Sequence, residues 1–108
     1  MNNAYLEAVN LECLDLTGAL LSKAVLTNAR LSYANLTNAD FTRADLRGAD
    51  LTGARLIHTQ FWGANLSGAK GLTSKQLARA CTDSETELPS HVKAPGPCGT
   101  GIPEGYLQ

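Results

Sequence analysis

Between Ala4 and Gly68 the chain has no proline; all four prolines lie from Pro89 onward. That long stretch therefore keeps a donor N–H at every residue, as an unbroken backbone ladder requires. Aromatic residues are scarce, with two Phe, three Tyr and one Trp. A globular chain of 108 residues would be only marginally able to bury a core. Stacked repeats escape that limit, because each buries its apolar side against its neighbours. No sign of charge dominates: nine basic residues stand against ten acidic ones, for a net charge of −1. The basic footprint of a nucleic-acid binder is missing, and so is an acidic excess that would imitate a phosphate backbone. No apolar run reaches the roughly 18–20 residues of a membrane span. The start, Met1-Asn2-Asn3-Ala4-Tyr5, has neither the basic segment nor the apolar core of a secretory signal.

Groups for chemistry are also few. The three cysteines, Cys13, Cys81 and Cys98, form no Cys-x-x-Cys, and with only His58 and His91 beside them no zinc spacing arises. Gly96 to Gly101 is glycine-rich but lacks the Gly-Lys-Ser/Thr of a phosphate loop. Cys81 and His91 have no third group to orient them as nucleophile and base. The chain is therefore expected to be no enzyme and to hold no metal or cofactor.

What the sequence does have is a period of five. Leu6, Leu11, Leu16, Leu21, Leu26, Leu31, Leu36, Phe41, Leu46, Leu51, Leu56, Phe61 and Leu66 form an unbroken series. Two residues before each stands Ala, except at Val9, Leu14 and Thr59. A helix would scatter this series, rotating each centre by about 140°, and a plain strand alternates with period two. A three-residue strand followed by a fixed turn fits: the Ala and the centre face inward, and the residue between them faces out. All five glycines of the stretch fall two residues after a centre, where a turn needs unusual dihedrals. The position just after the centre is mostly Ser or Thr, whose hydroxyls are expected to bond the local backbone.

The motif Ala-(Asp/Asn)-Leu-x-x, seen in Ala34-Asn35-Leu36, Ala39-Asp40-Phe41, Ala44-Asp45-Leu46, Ala49-Asp50-Leu51 and Ala64-Asn65-Leu66, resembles that of the pentapeptide-repeat family. The resemblance covers residues 4–68. It implies an all-β, right-handed quadrilateral β-helix with four repeats per coil, about three coils in total and about 16 Å long at the spacing of paired strands. Residues twenty apart then stack. Phe41 falls against Phe61, a favourable aromatic pair.

The departures from the motif are the candidate sites. Tyr5, Leu6, Val9 and Leu14 suggest a hydrophobic first coil, either plugged by its own side chains or paired with another copy in a homodimer. Ile57 and Trp62 replace Ser or Thr at outward positions, with His58 beside Ile57. They are either a partner patch or, the reading preferred here, covered by a tail that folds back. Thr73 and Gln76 make a capping box, so Ser74–Cys81 is expected as a short helix capping the last coil. Cys81 and Cys98 could form a disulfide that pins the tail. The chain thus divides into a repeat coil (1–69), a C-terminal capping helix (70–82) and an irregular Pro/Gly-rich tail (83–108).

For function, the resemblance implies a non-enzymatic structural or protein-interaction module, akin to the many family members abundant in cyanobacteria. The alternative is a DNA-mimicking regulator of DNA gyrase. Against it, Asp40, Asp45 and Asp50 lie in successive repeats and therefore point in three directions. Asp50 also stacks on Arg30. A protein partner is expected, but no direct nucleic-acid binding and no membrane association. The expected compartment is the cytoplasm if the chain is complete, or the thylakoid lumen or periplasm if a signal was removed.

Overall fold

The computed structural model describes residues 1–95 and residue 98. Its basic unit is a four-residue turn. The carbonyl of each centre accepts from the N–H three residues later, as in Leu26 to Ala29 (3.0 Å) and Leu36 to Ala39 (2.9 Å). The third residue of each turn, from Asn3 to Gly68, has a φ between 56° and 71°. A positive φ at that position alone is the type II pattern. Glycine takes it freely, but Ala8, Cys13, Lys23, Tyr33, Arg43 and His58 take it too. Each of these costs about 1 kcal/mol of local strain, which the fixed hydrogen bonds on both flanks impose.

The turns stack at a register of twenty residues. Parallel bridges run Tyr5–Val25–Asp45–Asn65, Asn10–Arg30–Asp50–Lys70, Asp15–Asn35–Arg55 and Leu20–Asp40–Gln60. Four bridges per coil make a four-sided tube. Each side pairs through one bridging residue rather than a long strand: the middle residue bonds the rung below with both its backbone groups, and the two residues flanking it bond the rung above. Arg30 shows the rule: its N–H donates to the Val9 carbonyl and its carbonyl accepts from the Leu11 N–H, both at 2.8 Å.

The inward positions form the core. From Leu21 to Leu66 the Leu and Phe centres are at most 2% exposed, and the Ala residues between them are buried as well. Phe41 and Phe61 stack with centroids 5.5 Å apart and planes inclined by 14°. Thr59, standing where Ala is usual, is fully buried and donates its hydroxyl to the Leu36 carbonyl at 2.7 Å.

After Lys70 the period is lost. The helix, α1 (Ser74–Leu77), is shorter than the expected Ser74–Cys81. The ladder recaptures the chain: the Cys81 N–H donates to the Thr59 carbonyl, and the Phe61 N–H to the Cys81 carbonyl, both at 2.8 Å. Further on, Glu87 bridges to Asn65. The stretch expected to be irregular from residue 83 therefore begins inside the ladder. Val92 and Pro89 are buried, the Thr86 hydroxyl donates to the Phe61 carbonyl (2.8 Å), and the Lys93 N–H donates to the Ser74 hydroxyl (3.0 Å). Cys81 and Cys98 are joined by a disulfide, with Cα atoms 4.5 Å apart. The rest of the expected tail, residues 96–97 and 99–108, lies outside the described residues.

Candidate functional site

The outer surface is built mainly from side chains that brace turns. Asp or Asn at a bridging position accepts the N–H two residues later: Asp15 from Thr17 (3.1 Å), Asn35 from Thr37 (3.2 Å), Asp50 from Thr52 (3.0 Å), Asn65 from Ser67 (3.0 Å). The threonine hydroxyl follows, donating to the same oxygen, as Thr52 does to Asp50 at 2.6 Å. These threonine hydroxyls bond the neighbouring Asp or Asn side chain and not the backbone. These bonds hold Asp15 and Asp50 below the usual carboxylate pKa, with the threonine hydroxyl as the main cause. Asp45 is lowered chiefly by Arg47, whose guanidinium donates to both its oxygens (2.9 and 2.7 Å).

In one column, Asn10–Arg30–Asp50–Lys70, the charges alternate. Asp50 sits between Arg30 and Lys70 in the ladder. Glu12 pairs with Arg30 at 2.8 Å and accepts from the Ser32 hydroxyl. No side carries an unbroken acidic row among the described residues.

The first coil is open. Leu6, Val9, Leu11, Leu16 and Ala19 are only partly buried against the core, and Leu14 is 46% exposed. Tyr5 does not belong to that end surface. It is a bridging residue, 87% exposed on the outside of the tube. Cys13 is a free, exposed cysteine on a turn.

The outward pair is also exposed. Ile57 is 39% and Trp62 42% accessible, and the described part of the tail does not fold over them. The reason lies in the ladder, which takes the chain from Cys81 to Glu87 across the last coil instead of down the tube. Ile57 and His58 form one turn, and Trp62 and Gly63 the next; the side bearing Leu20, Asp40 and Gln60 lies between these two turns. The sequence marked Ile57, His58 and Trp62 but missed Leu20, which is 59% exposed on that same side. Its signal was an apolar residue in a bridging position.

The family model for pentapeptide repeats matches residues 1–32 and 34–70, more than half of the chain. The chain belongs to the pentapeptide repeat family. Pentapeptide repeat proteins fold as right-handed quadrilateral β-helices, in keeping with the four-sided register seen here. Among solved structures, the chain is 36% identical to alr5209 from Nostoc, covering 82% of this chain and 73% of that one, with a TM-score of 0.44. It is 31% identical to Rfr23 from the cyanobacterium Cyanothece, over 82% of this chain and 63% of that one, with a TM-score of 0.45. A third is HetL from Nostoc, a protein involved in heterocyst differentiation regulation, at 34% identity over 74% of this chain and a TM-score of 0.48. The chain spans only 46% of HetL. No curated protein matches it.

Proposed function

We propose that this pentapeptide repeat protein is a non-enzymatic interaction module. In this reading residues 1–69 form a rigid scaffold of about three coils, residues 70–82 cap its end, and the tail from 83 secures the cap. One observation carries the proposal: large apolar side chains stand exposed on turns whose backbones the ladder fixes, where Ser or Thr is the rule. Exposed apolar groups on an otherwise polar surface mark contact with a protein partner. Site-specific photo-crosslinking from outward positions in native cells tests this. A reproducible adduct with one protein supports it; absence of any adduct from every side rejects it.

The open first coil suits a second copy, as a homodimer through Leu6, Val9 and Leu14. Light scattering across a concentration series tests this part separately, and a monomer at every concentration rejects it. The Cys81–Cys98 bridge suits an oxidising compartment such as the thylakoid lumen or periplasm. Among the described residues no helix is long and apolar enough to cross a membrane. That no side carries an unbroken acidic row among the described residues weighs against the alternative of a DNA-mimicking gyrase regulator. Protection of purified gyrase from a quinolone in a supercoiling assay would reverse that ranking.

A further inference from the structure

We infer that the side of the tube carrying Leu20, Asp40 and Gln60, with its two flanking corners, docks an acidic peptide segment bearing apolar side chains. The inference rests on the reading of the chain as an interaction module, and names the surface and the chemistry of the partner. Three exposed apolar residues frame this side: Leu20 on the first rung, and Ile57 and Trp62 at the two corners of the third. The turn backbones that carry Ile57 and Trp62 are tied to the rung below. The Asn38 N–H donates to the Ile57 carbonyl at 3.0 Å, and the Arg43 N–H to the Trp62 carbonyl at 2.7 Å. A ligand meeting these anchors finds them pre-organised, which lowers the ordering cost of binding.

The charge around the anchors sets the partner's sign. At the Trp62 corner, Lys23 and Arg43 stack one rung apart, and the Arg43 side chain lies along Gly63. At the Ile57 corner, Arg79 sits one rung above His58, whose N–H donates to its carbonyl at 2.9 Å. Lys23, Arg43 and Arg79 are exposed and have no ion-pair partner among the described residues. The carboxylates nearby keep their charge but are turned onto neutral donors of the turns. Asp40 accepts from the Thr42 N–H and hydroxyl, and Asp83 from the Gly63 N–H at 3.0 Å. Unpaired cations at both corners, interleaved with the apolar anchors, complement carboxylates and apolar groups on one strand. A nucleic acid would use the cations and Trp62 but leave Ile57 and Leu20 without a partner.

Trp62 is the only tryptophan of the chain, so its emission reports the site directly. The probe is a synthetic peptide alternating Glu and Leu. The controls are the Lys–Leu and Glu–Ser versions and a single-stranded oligothymidylate. The expected result is a saturable blue shift with the Glu–Leu peptide, at least about tenfold weaker binding of each control, and a similar loss for Arg43→Glu and Ile57→Ser, an energetic step typical of an interface anchor. Anisotropy of a labelled Glu–Leu peptide gives the same reading for Trp62→Ala. Equal binding of the Lys–Leu peptide, tighter binding of the oligonucleotide, or full affinity in the Arg43→Glu and Trp62→Ala variants overturns the inference. Such a failure leaves the module reading standing if photo-crosslinks form from another side. That reading falls only when none form.

Discussion

At the scale of single residues, an Asp or Asn at a bridging position supplies an acceptor that the turn backbone otherwise lacks. Val25 occupies such a position without one, and the Thr27 N–H has no partner among the described residues. Val25→Asn is therefore expected to add one bond and about 0.5–1 kcal/mol of stability, read as a higher denaturant midpoint. Charge matters in a second way. Asp50 titrates below its ordinary value of 3.8, mainly through the Thr52 hydroxyl and then the Thr52 N–H. As pH falls, the unfolded chain takes up the proton first, so the stability present above about pH 4 is lost as the pH drops through the folded value. Asp50→Asn keeps the acceptor oxygen but not the titration. Its stability should fall less steeply than that of the wild type between pH 5 and pH 2, as followed by thermal unfolding across that range. The small turn residues were legible in the sequence; the partner of the Ser and Thr hydroxyls was not. Backbone and carboxylate acceptors stand equally close in sequence, and only geometry separates them.

At the scale of elements, α1 shows how a local signal gains a long-range role. The capping box of Thr73 and Gln76 could be read from spacing alone, and the structure contains it. Gln76 does more. Its amide nitrogen donates to the Leu51 carbonyl at 2.9 Å and the Ala54 carbonyl at 3.0 Å, tying the helix to the last full coil. Gln76→Glu preserves the cap acceptor but turns a carboxylate toward two carbonyls. It is expected to cost about 1–3 kcal/mol, as much as Gln76→Ala or more, in urea unfolding. No spacing rule could reveal this, because the two carbonyls lie 25 and 22 residues earlier. The same holds for the return to the ladder. Cys81 and Glu87 pair at offsets of 21 and 22, where the helix has already broken the count of twenty. The helix was read too long because Ala78 to Cys81 favour helix locally, while the open edge at Thr59 and Phe61 offers backbone bonds that win. The register of twenty and the Phe41–Phe61 stack, by contrast, followed from the four repeats per coil that the resemblance implies, and they hold because nothing interrupts the period of five.

At the scale of the molecule, the two ends differ. One is crossed by residues 82–95 and closed by the Cys81–Cys98 bridge; the other exposes Leu14 and half-buries its neighbours. Closing a loop of 17 residues contributes about 3 kcal/mol. Cys98→Ser is accordingly expected to lower stability by about that amount, and added dithiothreitol should bring the wild type to the same unfolding midpoint without changing the variant.

The register of twenty also sets a rule for insertions and deletions. Loss of a single five-residue repeat leaves every turn locally sound but rotates all later residues by a quarter of the tube. Removing Ala29 to Tyr33, for example, would bring Phe41 over Leu16 and carry Ile57 away from the side it now flanks. Loss of four consecutive repeats, such as Ala24 to Arg43, shortens the tube yet returns each later side chain to its former face. A lineage of such proteins can therefore change length freely in steps of twenty while preserving a surface. Steps of five preserve the scaffold and reassort what it displays.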